Sequence, residues 1–278
     1  MIAVPDVLGW WREEPGGHEW LERLPRLAAE CAERWSLRLG EPFRDALVSL
    51  VLPAERGDGT RAVLKLNFPE PESEHEADAL AFWGGVGAVA LLEHDPSRGA
   101  LLVERAEPGT QAWALPDDEA TREVAGILRR LHREPPPGHP FRALADAAAS
   151  WADELPAVER RLLDEWRSTL EGLLADPVPP VVLHQDLHGG NVIRSDRGWV
   201  AIDPKPLVGD PAFDVASVVR DRRPVPDRRT VERRLDLLHD ELGLDRERMR
   251  AWSFVHALGW GPNADMVAAA RLLTRGRA

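Results

Sequence analysis

Residues 181–193 read VVLHQDLHGGNVI, and a second β-like run, WVAID, follows at 199–203. Apolar runs on both sides of a polar segment mark a strand–loop–strand hairpin. Such a hairpin brings Asp186, Asn191 and Asp203 to one end. Phosphoryl transfer to a hydroxyl asks little covalent chemistry of a protein. It needs one carboxylate to orient the acceptor hydroxyl and take its proton, and oxygen ligands to hold magnesium on the phosphates. Two carboxylates and one amide supply that set, and hard oxygen donors suit Mg²⁺. An Asx-rich turn joining two strands would show the same H-x-D-x-x-x-x-N pattern without any chemistry; Asp203 at the end of the second run weighs against it. A further alternative rests on the H-x-D-x-H spacing of His184, Asp186 and His188. On a strand those side chains would share one face and could bind zinc, making a metal-dependent hydrolase. That reading leaves Asn191 and Lys65 unexplained.

Lys65 lies in RAVLKLN (61–67), a predicted strand. The chain has 35 basic residues, yet only Lys65 and Lys205 are lysines. Where arginine is the background cation, a retained lysine points to a need for a compact ammonium rather than a planar fork. A strand lysine after Ala-Val-Leu suits contact with nucleotide phosphates, paired with a helix carboxylate. The predicted helix ESEHEADALAFW (72–83) offers Glu72, Glu74, Glu76 and Asp78. Glu76 is chosen because it directly precedes the apolar face of Ala77, Leu80 and Ala81. Gly85-x-Gly87-x-x-Ala90 has the spacing of a dinucleotide fingerprint. It follows a helix and opens a strand, the reverse of what that fingerprint requires, and reads as a helix stop.

Around these motifs, residues 18–36 have helical periodicity interrupted by Pro25. Residues 45–52 and 61–67 read as a hairpin about the turn ERGDG, and 87–92 and 99–104 as two more strands about DPSRG. After Pro108–Gly109 the pattern turns helical, at 117–132, 141–152, 155–174, 228–241 and parts of 246–273. The expected organisation is a β-rich lobe at 1–103, a hinge at Glu104–Arg105–Ala106, and a larger, mostly helical lobe at 107–278. The fold class is α+β.

The 278 residues have ordinary globular composition, no apolar run long enough to span a bilayer and no N-terminal signal pattern. Cys31 is the single cysteine, so no internal disulfide can form; a reducing cytoplasm is the expected compartment. The net charge of −12 repels nucleic-acid backbones and attracts cations; by itself it reads as solubility, and it bears on ligands only where a cationic substrate is indicated on other grounds. Neither a nucleic-acid nor a membrane partner is expected, and the oligomeric state expected is monomer or weak dimer.

LHQDLHGGNVI followed by AIDPKPLVGDPAFDVASVVRD (201–221) resembles the aminoglycoside/hydroxyurea phosphotransferase family, the group that includes streptomycin 6-kinases. HEADALAFWGGVGAVALLEHDPSRGALLVERAEPG (75–109) and AVLKL (62–66) extend the resemblance over roughly 45–220. The resemblance implies a bilobal protein-kinase-like fold with ATP and Mg²⁺ as cofactors and ATP in the cleft. It implies Asp186 as catalytic base, Asn191 and Asp203 as metal ligands, and Lys65 with Glu76 as the phosphate-positioning pair. The backbone of Glu104 and Ala106 would meet adenine, and Asp214 would support the catalytic loop. His-Gln-Asp stands where His-Gly-Asp is more usual, and the middle side chain is expected to take no part in the chemistry. The implied acceptor is a hydroxyl of a small, cationic antibiotic such as streptomycin. The alternative acceptor is a metabolite, sugar or choline-like amine. On the acceptor side, Glu241, Asp265, Trp252, Trp260 and His256 are candidates for the wall of the site. A protein kinase is disfavoured, because no Ala-Pro-Glu-type anchor follows Asp203. A pseudokinase is disfavoured because Lys65, Asp186, Asn191 and Asp203 are all present.

Overall fold

Alternating apolar residues in the first third of the chain build a twisted antiparallel sheet against one amphipathic helix. The computed structural model describes residues 2–152, 155–221, 226–260 and 262–274. Contacts group the chain into two compact units, residues 1–109 and 110–278.

In the first unit, helix α1 (Gly17–Arg34) precedes β1 (Leu37–Leu39), β2 (Ser49–Arg56) and β3 (Arg61–Asn67). Helix α2 (Glu76–Trp83) then leads to β4 (Leu91–Asp95) and β5 (Ala100–Glu104). The strands pair antiparallel in the order β1-β2-β3-β5-β4. Trp20, Leu21, Leu24, Leu27, Ala28 and Cys31 of α1 form a core cluster with Leu50, Leu52, Leu64 and Leu66 of the sheet. That stripe explains why α1 runs straight through Pro25, where an interruption was expected. An internal proline costs about 3 kcal/mol, and burial of apolar residues on both sides of it offsets the loss. Burial also pushes the Cys31 thiol up to about 11, which leaves it unreactive.

Helix α2 begins at Glu76 rather than at residue 72. Ser73 Oγ donates to the carbonyls of Phe68 and Glu70, and this local turn competes with helix for the same backbone. The β2 strand likewise starts later than expected, at Ser49, and runs on to Arg56.

The second unit opens with a 3₁₀ turn at Ala112–Ala114 and α3 (Asp117–Leu131). Then come β6 (Arg142–Ala143), α4 (Leu144–Trp151), α5 (Arg160–Ala175), β7 (Val181–Leu183), β8 (Val192–Ser195), β9 (Gly198–Ala201) and β10 (Leu207–Gly209). Helices α6 (Ala216–Val219), α7 (Arg228–Leu242), α8 (Arg246–Gly259) and α9 (Ala264–Leu273) complete it. β8 and β9 form the expected hairpin, while β7 joins a small sheet in the order β6-β10-β7.

Helices α3 and α7 are tied by ions. Arg234, 1% exposed, donates from Nη2 to Asp117 Oδ1 at 2.6 Å and from Nη1 to the Asp221 carbonyl at 2.7 Å. Arg233 reaches Asp117 and Asp118, each at 2.6 Å. Burial pushes the Asp117 carboxyl up, but the hydrogen bonds and charges of Arg234 and then Arg233 outweigh it and hold it below the usual carboxylate value. A carboxylate whose pKa is depressed in the folded state adds stability above its unfolded value of about 3.9, and loses it as pH falls through the folded value. Asp117→Asn is therefore expected to lower the thermal unfolding temperature at neutral pH. The gap to the parent should close in scans at successively lower pH. Arg234→Leu, which removes a buried guanidinium and leaves the half-buried Asp117 carboxylate short of one partner, is expected to lower stability in denaturant unfolding by about 1–3 kcal/mol.

Candidate active site

Directly after β7 the chain turns sharply, through a γ-turn. The Asp186 N–H donates to the His184 carbonyl at 2.9 Å, and Gln185, the central residue, has φ 67°. A positive-φ γ-turn is rare and strained; a residue held in such a region costs about 1–3 kcal/mol and persists only where its surroundings fix it. Asp214, with no exposed surface, provides that fixing. Its Oδ2 accepts the His184 N–H at 2.8 Å and its Oδ1 the Gln185 N–H at 2.6 Å. His132 Nε2 adds a bond to Oδ2 at 3.1 Å.

His184 ties this turn to the next strand. Burial holds its imidazole below the usual value, so the ring is neutral, and Nε2 donates to the Ile202 carbonyl at 2.9 Å. The His184 carbonyl also accepts the Lys205 N–H at 3.0 Å. Asp203, between those contacts, is left-handed at φ 58°. Asn191 Nδ2 donates to the Asp186 carbonyl at 2.9 Å, so the amide oxygen is the end left to face outward. The Asp186 side chain is 20% exposed, with His188 Nε2 at 3.9 Å from its Oδ1.

The loop is braced from outside by Trp113. Its ring stacks on His188 at 4.9 Å between centroids and 6° between planes. Its Nε1 donates to Asp221 Oδ2 at 2.6 Å, the same oxygen that accepts the Gly189 N–H at 3.2 Å. A Cβ on Gly189 or Gly190 would sit 2.6 Å from the indole, so both positions need glycine for close approach rather than for an unusual φ.

In the first unit Lys65 Nζ donates to both oxygens of Glu76, at 2.7 and 2.8 Å, and the two residues are 6% and 3% exposed. Glu76 is the first residue of α2, where a negative charge is favoured by the helix dipole. Asn67 Nδ2 donates to Glu76 Oε2 at 2.7 Å, and Ser49 Oγ to Asn67 Oδ1 at 2.7 Å. Asn67 lies two residues after Lys65 on β3, hence on the same face, and Ser49 is its cross-strand partner. Period-two alternation from Lys65 would have found Asn67; nothing in the sequence marks Ser49.

Glu104 ends β5, and its N–H is taken by the Ala90 carbonyl at 2.8 Å. Ala106 follows, short of the boundary between the units. Trp252 and His256, considered as site walls, are 1% and 0% exposed and belong to the core of the second unit, whereas Trp260 is half-buried. Glu241 is engaged by Arg129 at 2.8 Å. The zinc alternative loses its geometry, because His184 is turned inward onto the Ile202 carbonyl instead of toward Asp186 and His188. Among the described residues no three His, Cys, Asp or Glu side chains form a metal-binding group.

Known proteins match this arrangement over most of the chain. The model of the aminoglycoside/hydroxyurea antibiotic resistance kinase family matches residues 34–264. A streptomycin 6-kinase of Streptomyces griseus is 40% identical over 276 residues, covering 92% of this chain and 89% of the relative. A hydroxyurea phosphotransferase of Kitasatospora aureofaciens is 41% identical, covering 85% of this chain and 72% of the relative. Among solved structures, a choline kinase from Streptococcus pneumoniae superposes with a TM-score of 0.64 at 14% identity, covering 89% of this chain and 97% of that one. The last likeness shows the fold alone, which is kinase-like. With its family model and relatives matched at this extent, the chain belongs to the aminoglycoside/hydroxyurea antibiotic resistance kinase family and is a phosphotransferase.

Proposed function

We propose that this enzyme transfers the γ-phosphoryl group of ATP to a hydroxyl of a small, cationic antibiotic, with streptomycin as the leading acceptor. The observation that carries this reading is the oxygen-donor set Asp186, Asn191 and Asp203, carried by the loop before the β8–β9 hairpin and the turn after it, with the γ-turn before Asp186 held by the buried carboxylate of Asp214.

In this reading Asp186 orients the acceptor hydroxyl and accepts its proton as the new O–P bond forms. The bond from the γ-phosphorus to the bridging oxygen breaks, and its electron pair leaves with ADP. The outward amide oxygen of Asn191 and the carboxylate of Asp203 suit magnesium in donor chemistry, being hard and close in sequence to the base. Magnesium bound there would neutralise charge on the phosphates. Lys65, kept extended by Glu76, would contact the α- and β-phosphates. The 104–106 segment, the hinge between lobes 1–103 and 107–278 in this reading, would meet adenine. In this reading Glu104 and Ala106 would contribute through their backbone.

Two features support a cationic acceptor: the net charge of −12 and the likeness to a streptomycin 6-kinase. The 41% identity to a hydroxyurea phosphotransferase makes hydroxyurea the second acceptor to assay. The lone, buried thiol of Cys31 fits a cytoplasmic setting.

ADP release measured with streptomycin, hydroxyurea, choline and simple sugars tests the reading. Streptomycin is expected to give the highest kcat/KM. Asp186→Asn should lower kcat with the preferred acceptor by about 100- to 10,000-fold while ATP still binds; an unaltered rate would remove Asp186 from the mechanism. Turnover with a sugar or choline alone would exclude the antibiotic assignment. Lys65→Met is expected to lower kcat/KM for ATP by at least about tenfold. Glu76→Ala, which strands a buried ammonium, should in addition lose about 3 kcal/mol of stability by thermal or denaturant unfolding.

A further inference from the structure

Gln185 occupies a position where a side chain was expected to be idle, yet it is 4% exposed and all its polar groups are engaged. Its N–H donates to Asp214 Oδ1 at 2.6 Å and its carbonyl accepts the Ser217 hydroxyl at 3.0 Å. In the amide orientation that satisfies both ends, Nε2 donates to the Lys205 carbonyl at 2.9 Å and Oε1 accepts the Trp260 indole N–H at 3.1 Å. At φ 67° a glycine would relieve the backbone. It could make neither of the two side-chain bonds.

The partners of that amide are themselves connected. Trp260 directly follows α8, and its ring has the Lys205 ammonium 4.8 Å and the Arg220 guanidinium carbon 5.5 Å from the centroid. Arg220 donates from Nε to His256 Nδ1 at 3.0 Å and from Nη2 to Ser217 Oγ at 3.3 Å. His256 accepts that bond because it is neutral: burial first, then the charges of Arg220 and Lys205, hold it well below its ordinary value. Ser217 returns the circuit to the Gln185 carbonyl, and the Lys205 N–H returns it to the His184 carbonyl. A lysine side chain is flexible, and packing its ammonium on an aromatic face restricts where the charge can be. The circuit thus spans the γ-turn before Asp186, the turn containing Asp203 and Lys205, and the end of α8.

We propose that Gln185 is a positioning residue for phosphoryl transfer: its amide locks the Trp260–Lys205 pair to the turn that carries Asp186. The Lys205 ammonium then keeps a fixed place two residues beyond Asp203. A preorganised cation in such a place stabilises the negative charge of the transferring group without having to reorganise during the reaction. This inference rests on the phosphotransferase reading above.

The test uses the full-length enzyme with its best acceptor. Gln185→Leu keeps the side-chain bulk and the left-handed backbone but deletes both amide bonds. Trp260→Phe keeps a ring for Lys205 and deletes only the indole N–H. Each is expected to lower kcat about 10- to 100-fold, as misplacement of a reacting constellation does. Both KM values should stay within about threefold, assayed well below each variant's unfolding temperature. Because the two changes break one connection, the double variant should be no slower than the slower single one. Gln185→Glu, which still accepts from Trp260, should recover part of the rate. Parent-like kcat in Gln185→Leu, losses that multiply in the double variant, or a KM rise at unchanged kcat would each overturn the positioning role while leaving the kinase intact. A parent enzyme that releases no ADP with any acceptor overturns the functional reading itself.

Discussion

Asp214 accepts hydrogen bonds from two consecutive backbone N–H groups, those of His184 and Gln185. In an extended strand successive N–H groups point to opposite sides, so one carboxylate cannot take both. It can do so only where the chain turns sharply between them. The strained γ-turn at Gln185 is therefore the geometry that a buried, fully satisfied Asp214 imposes. Asp214 is in turn placed by Asp210, four residues earlier. Asp210 caps the 3₁₀ turn Pro211–Phe213 through Ala212 N–H at 2.9 Å and anchors it to α8 through Arg248 and Trp252. The DPAFD segment is thus a two-carboxylate bracket, one end on the helices and the other under the γ-turn at Gln185.

The β8–β9 hairpin, with Asn191 before it and Asp203 after it, was legible because its signal is local, whereas the departure of β7 to another sheet was not. Lys65 and Glu76 were legible for a different reason, the rarity of lysine in an arginine background together with the start of an apolar helix face. What stayed hidden was whatever depends on long-range approach. Trp113 precedes the loop it braces by more than seventy residues of sequence, and only the fold puts its indole against Gly189 and Gly190. His132 and Ser217 are unremarkable letters until Asp214 and Gln185 are placed beside them. The contacts of Gln185 were not legible either, because what a side chain between His184 and Asp186 faces depends on the fold. Pro25 and the late start of α2 show the same limit at the level of fold. Local signals gave an interruption that core packing overrides, and a helix turn that Ser73 closes off.

The two units solve similar problems with different means. In the first, one ion pair is buried with two polar neighbours, so that Ser49, Asn67, Glu76 and Lys65 form a single chain of donors and acceptors. Every polar end in that chain is matched, which is what allows a charge pair to persist at 6% and 3% exposure. In the second, the fixed element is backbone, and the side chains around it exist to hold a strained turn.

The distribution of amines has a practical consequence. Lys65 and Lys205 carry the only ε-amino groups of the chain, one in a buried ion pair and the other against an indole face, and both are among the residues proposed to serve phosphoryl transfer. Acylating reagents, aldehyde fixation and amine-coupled sensor surfaces therefore have the α-amino group and these two positions to attack. Any of these treatments that reaches a lysine side chain will disturb one of those two contacts rather than an inert surface.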